Sequence, residues 1–212
     1  MAYGFPEGSK FYFSQTFAAT KTVSAVTNAN PAVATSTAHG YSNGDYVVLS
    51  VTGMFELDNV VARVAGVATD SFQLEGIDST LYTTFSAGTA KKITFGASMT
   101  TAVGVNASGG ESEFADTTTI HDLVKKRAPT VVSAVSMTLD SIWDPSNAAL
   151  QQLNAASKTK TKRAVQIRFA DGTRMLGSVY VAAPLVPTGS AGEVVKTPVS
   201  LEFQGLPQVY TS

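Results

Sequence analysis

The sequence predicts a mainly β protein with one short flanking α-helix and an inserted small β-barrel module. Three observations carry this. Apolar and polar residues alternate in many short runs, as half-buried strands require. Thr, Ser, Ala, Val and Gly are plentiful while only 15% of residues are charged, against about 25% in an average chain. One stretch alone, after Asp144-Pro145, switches to helical spacing.

That stretch organises the C-terminal half. Asp144 is suited to cap free backbone N–H groups and Pro145 to the first helical position, with Trp143 expected to anchor the helix start. Ala149, Leu150, Leu153 and Ala156 then share one apolar face. Ser157-Lys158-Thr159-Lys160 ends the helix, with cations near its negative pole. Val165, Ile167 and Phe169 alternate with Gln166 and Arg168 in a following strand. Asp171-Gly172 signals a tight hairpin turn, and Arg174 to Val181 returns.

The remaining elements follow in chain order. Lys10 to Phe17 is the first strand, with Phe11, Phe13 and Gln15 expected on one face. Residues 22–93 read as the inserted β-module: Val23–Val26, Ala32–Ser36, Asp45–Val51, Val60–Val67, Ser71–Glu75 and Leu81–Phe85 are short strands between turn signals such as Asn43-Gly44. The main domain is then 1–21 plus 94–212. Thr94 to Val105 is a possible strand, and Asn106 to Asp122 a long polar connection of the kind that is functional when it is not disordered. Val131 to Leu139 and Val194 to Phe203 are strands, with Pro198 marking an edge or a bulge because it lacks a donor.

Net charge is −1, so no general attraction to nucleic acid is expected. The charge is uneven, however. Residues 1–120 carry five Lys/Arg against ten Asp/Glu, and residues 121–212 carry ten against six. Head-to-tail contact between copies would use such asymmetry, and chance would also produce it. Without cysteine, disulfides and thiolate sites are excluded. The start shows no basic segment ahead of an apolar core, so no secretion signal is expected and the chain is expected to begin in the cytoplasm. No apolar run approaches the roughly 20 residues of a membrane-spanning helix.

Catalytic signatures are weak. His39 and His121 lie in turn-rich stretches without further ligands at metal-binding spacing, so a structural or solvated role is the expectation for His39 and a contact role for His121. Glu111 and Glu113 alternate, but a loop pair of carboxylates is ordinarily solvated. There is no phosphate loop or nucleophile elbow. The basic clusters Lys125-Lys126-Arg127 and Lys158, Lys160, Lys162, Arg163 contain no aromatic residue for base stacking. The chain reads as neither an enzyme nor a cofactor or metal protein.

The order of elements from Thr130 to Gln208 resembles the tail tube protein of long, non-contractile-tailed bacteriophages. The matching parts are Ser136-Met-Thr-Leu-Asp140, the helix with Ala148-Ala-Leu-Gln-Gln-Leu153, the hairpin Val165-Gln-Ile-Arg-Phe-Ala-Asp-Gly-Thr173, Leu176-Gly-Ser-Val-Tyr180 and Val199-Ser-Leu-Glu-Phe-Gln-Gly205. The stretch His39-Gly-Tyr-Ser-Asn-Gly44 to Val51 is similar to small β-modules found within phage tail proteins. The resemblance implies a tail-tube β-sandwich that assembles as hexameric rings. Stacked rings would enclose a lumen through which viral DNA passes without sequence-specific binding. It also implies tape measure, tail terminator and tail-tip proteins as partners, and a place in the virion tail after assembly in the host cytoplasm. The connection from Asn106 to Pro129 corresponds to the one that reaches a neighbouring ring. Glu111, Glu113 and Asp116 are expected to meet Lys125, Lys126 and Arg127 of another copy there. The 22–93 module is expected on the tube exterior. The alternative is a carbohydrate- or cell-surface-binding β-module, with Tyr41, Tyr46, Tyr82 and Phe85 as the aromatic candidates.

Overall fold

The computed structural model describes residues 7–184 and 186–211; the initial segment read for a secretion signal lies largely outside them. The fold is mainly β with one helix, as the sequence predicts. Its strands are β1 (Lys10–Phe17), β2 (Lys21–Val23), β3 (Ala25–Val26), β4 (Ala32–Thr35), β5 (Tyr46–Thr52), β6 (Val61–Ala65), β7 (Ser71–Leu74), β8 (Ala87–Met99), β9 (Ala102–Ser108), β10 (Ser112–Asp116), β11 (Arg127–Val132), β12 (Ser136–Ile142), β13 (Arg163–Arg168), β14 (Arg174–Ala182), β15 (Lys196–Phe203) and β16 (Gln208–Tyr210), with α1 (Ala148–Thr159) between β12 and β13. Fourteen strands form one curled sheet in the order β3-β4-β7-β6-β5-β8-β1-β13-β14-β15-β12-β9, with β2 beside β8 and β16 beside β14. The strands β10 and β11 form a separate hairpin.

Three apolar clusters hold the sheet. The first lies against α1, whose Ala149, Leu150, Leu153 and Ala156 meet Phe11, Phe13, Ile167, Leu139 and Leu201. Burying one Leu of this kind contributes about 1.5–3 kcal/mol. The second is built within residues 23–90, around Phe72, Leu49, Met54 and Leu74. The third is small and spans the other two: Val61, Ile93, Ala164, Leu176 and Tyr210.

The helix begins later than the sequence suggested. Asn147 caps it, its side-chain oxygen accepting from Ala149 N at 3.0 Å and Leu150 N at 3.2 Å. Asp144 instead closes the preceding turn by accepting from the Ser146 backbone and hydroxyl. These hydrogen bonds hold its carboxyl below the usual carboxylate range. Trp143 does not anchor the helix from within the core: its side chain is half exposed, and its backbone N–H donates to Val195 O at 2.9 Å. The far end stops as anticipated, with Lys160 in the left-handed region at φ 52°.

Other differences have equally local causes. In β1 the bulges beside Ser14 break the alternation, so Ser14 is buried and Gln15 exposed. Residues 23–26 do not form one strand: Val23 ends β2 beside β8, and Ala25 starts β3 beside β4. Leu81–Phe85 is not a strand but a turn-rich connection into β8. β8 uses residues 87–93 against β5 along one edge, and 93–99 against β1 with 88–90 against β2 along the other. The expected module limit at 93/94 therefore falls inside a single strand. Thr100-Thr101 separates β8 from β9, and Ser133 to Val135 separates β11 from β12, dividing two stretches that the sequence reads as single strands.

The β13–β14 hairpin forms as expected. Gly172 N donates to Phe169 O at 3.0 Å, Gly172 adopts φ 91°, and Asp171 accepts from Thr173 N at 2.8 Å. Pro198 lies opposite Asp140 of β12, beyond the last β14 pairing at Ser200, where its missing donor costs β14 nothing.

Candidate assembly surface

The segment expected to be a polar loop is largely strand. β9 extends through Asn106 to Ser108, and among the described residues it pairs with β12 alone, leaving its outer edge open. Gly109 and Gly110 follow, both at φ 85°. A Cβ on Gly109 would lie 1.9 Å from Ala134 O, so only glycine fits this pivot. β10 and β11 then leave the sheet as an arm, registered Ser112↔Val132, Phe114↔Pro129 and Asp116↔Arg127.

Hydrogen bonds shape the tip of the arm, and they explain the Thr run. Thr118 and Lys126 are tied, Lys126 N donating to Thr118 Oγ1 at 3.0 Å. Asp116 accepts from Thr118 N at 2.8 Å, and hydrogen bonding from Thr118 holds its carboxyl low. Asp122 pairs with Lys126 and accepts from Thr119 N at 3.0 Å. Its carboxyl is lowered by Lys126 first and Thr119 next.

What the arm lacks is a core. Phe114, Ile120, Leu123, Val124, Val131 and Val132 are all exposed, Leu123 completely. A lone two-stranded hairpin is marginal in water, and this concentration of exposed apolar side chains on one projection suits an interaction surface. Val103 and Val105 on the open β9 strand extend it to the sheet edge. An unpaired strand edge is a template for further pairing.

The predicted contact charges divide within one copy. Asp116 and Arg127 face each other across the arm, and Lys126 is held by Asp122. Glu111 and Glu113 have no ion-pair partner among the described residues. His121 sits at the exposed tip, its backbone N–H donating to Thr119 Oγ1.

His39 is buried against Tyr41 and Phe72, with ring centroids 5.0 and 5.2 Å away. Its Nδ1 accepts from Tyr41 N at 3.0 Å, leaving Nε2–H to donate to Ala68 O at 3.0 Å. Both ring nitrogens are thus used in packing the module, the structural one of the two roles expected. The aromatic candidates for glycan stacking are largely committed too. Tyr41 is buried and donates to Ala90 O at 3.1 Å; Tyr46 accepts from Arg174 Nη1 at 2.6 Å; Tyr82 and Phe85 pack on the module core. Among the described residues no three His, Asp or Glu side chains gather as a metal site.

A curled, mainly β sheet with an edge strand and an arm of exposed apolar side chains is an architecture suited to packing against other chains. The family model for the phage tail tube protein, TTP, matches residues 52–212, and the chain belongs to that family. It is therefore a structural subunit of the tail tube, located in the virion tail. No curated protein matches the chain.

Proposed function

We propose that the protein polymerises as stacked, hexameric rings whose joined sheets enclose the conduit for DNA delivery. The arm supports this reading most directly: six exposed apolar side chains on a two-stranded projection are stable once a neighbouring subunit covers them. The arm, with a chain contour of roughly 35 Å from Gly109 to its tip, is proposed to reach the next ring. Residues 1–21 plus 94–212 are the tube domain, and 22–93 form an exterior module joined to it through β8. The tape measure protein fills the lumen before DNA does, and terminator and tail-tip proteins close the two ends. Assembly takes place in the host cytoplasm.

The test is negative-stain imaging of the full chain, alone and co-expressed with the tape measure and tail-tip proteins. Hollow tubes with six-fold end views are expected. Replacing residues 111–132 by a short Gly-Ser link should leave a folded monomer. Wild-type protein that stays monomeric in both preparations would overturn the reading.

A further inference from the structure

Three cations stand in one row across three adjacent strands. Lys10 of β1 lies opposite Arg168 of β13, and Arg168 lies opposite Arg174 of β14. Opposed residues in antiparallel pairs project to the same side of the sheet, with strands spaced about 4.8 Å apart. The flanking pairs confirm the side: Phe11 and Ile167 of the next rung both face the helix-covered core, so the cation row faces away from it.

Directly opposed like charges destabilise a sheet. Among the described residues no carboxylate forms an ion pair with any of the three; Asp45 nearby is taken by Lys92 at 2.7 Å, and Glu75 by Arg63. Arg174 donates one bond to Tyr46 Oη, yet its Nε is buried without a partner. Arg168 and Arg174 line a groove of about 390 Å³, with Tyr12, Tyr46 and Gln166. A row of like charge on a sheet face is a favourable seat for an anion.

The anion best matched on the molecule is the base of the arm. Glu111 and Glu113 are exposed, form no ion pair among the described residues, and stand two residues apart at the start of β10, a spacing of about 7 Å in extended chain. The three-cation row spans about 10 Å. We propose that Lys10, Arg168 and Arg174 receive Glu111 and Glu113 of a second copy of this chain, an inference that rests on the assembly reading above. The other acidic groups of the arm, Asp116 and Asp122, are already engaged within it. Two of the three cations, Arg168 and Arg174, come from the basic half of the sequence and both glutamates from the acidic half, in a heterologous pairing that propagates from copy to copy.

The experiment is a charge exchange in the full chain, followed by sedimentation and negative-stain imaging in the co-expressed preparation. Lys10→Glu with Arg168→Glu, and separately Glu111→Lys with Glu113→Lys, should each lower the polymerised fraction by at least about tenfold. The two variants mixed, or all four changes in one chain, should restore tubes. Circular dichroism identifies any variant that fails to fold, and the milder Lys10→Gln with Arg168→Gln then replaces it, with partial loss expected. Wild-type tubes together with unaffected variants overturn the pairing alone; failure of the four-fold exchange to restore tubes that each pair abolishes also overturns it. If the Lys10/Arg168 variant assembles like wild type but loses binding to a short DNA duplex, the row is a polyanion seat and the pairing is overturned. Wild-type protein that never leaves the monomer overturns the assembly reading and the pairing with it.

Discussion

Arg63 donates its backbone N–H to the hydroxyl of Tyr210 at 3.0 Å, tying β6 to the last strand of the chain. The Arg63 guanidinium also lies over the Tyr210 ring, 4.9 Å from its centroid, and pairs with Glu75. Tyr210 itself belongs to the small cluster between the two larger cores, and burial raises the pKa of its hydroxyl above the ordinary tyrosine value. The C-terminal strand thus latches residues 61–65 to β14.

Tyr210→Phe keeps the ring and removes the acceptor of the Arg63 N–H. An orphaned buried donor costs about 1–3 kcal/mol. Urea denaturation should show that loss, and amide exchange should quicken first in Val61–Ala65. An unchanged midpoint with unchanged exchange would show that water replaces the hydroxyl and that the latch is apolar only.

The helix cap gives a comparative test. Asn147→Ala leaves two N–H groups at the start of α1 without their acceptor and should cost about 1 kcal/mol. Asp144→Ala acts only on the preceding exposed turn and should cost clearly less. Thermal melts of the two variants side by side check the order; the reverse order would return the cap to Asp144.

Gly109→Ala tests the pivot of the arm. The added methyl would overlap Ala134 O, at a backbone angle that L side chains rarely adopt. The sheet should melt near the wild-type temperature while tube formation fails, because the arm leaves β9 in a different direction. Normal tubes from this variant would sever the arm from assembly.

Tyr41 provides a pH signature. Burial first, and the charge of Asp45 second, push its hydroxyl from 10 up to about 12. The folded state therefore favours the neutral phenol. That contribution, on the order of 2 kcal/mol, is full below pH 10 and is lost as pH rises through about 12. Stability measured from pH 9 upward should fall more steeply in wild type than in Tyr41→Phe, which has nothing to titrate at this position. Parallel curves would place the alkaline loss at other tyrosines.

Local patterns made much of the fold readable. The apolar face of α1, the strands β5 and β15, and the β13–β14 hairpin are all visible because each repeats at the period of its own backbone and is bounded by a turn residue or cap. The family resemblance came from the order of those same elements. The arm was half legible. Its charges, its glycines and its unusual length mark it in the sequence, but the strands within it carry no alternation, since neither face is buried in a single copy.

By itself the sequence determined a mainly β chain with one amphipathic helix and the turn at Asp171-Gly172. Those are consequences of spacing and residue type, which act over a few residues. The tertiary structure alone decided that β8 serves both halves of the molecule, that Tyr210 closes on Arg63, and that Lys10, Arg168 and Arg174 share a row. Each depends on strand register and on contacts between residues far apart in the chain, and a one-residue slip in register would reverse the faces involved.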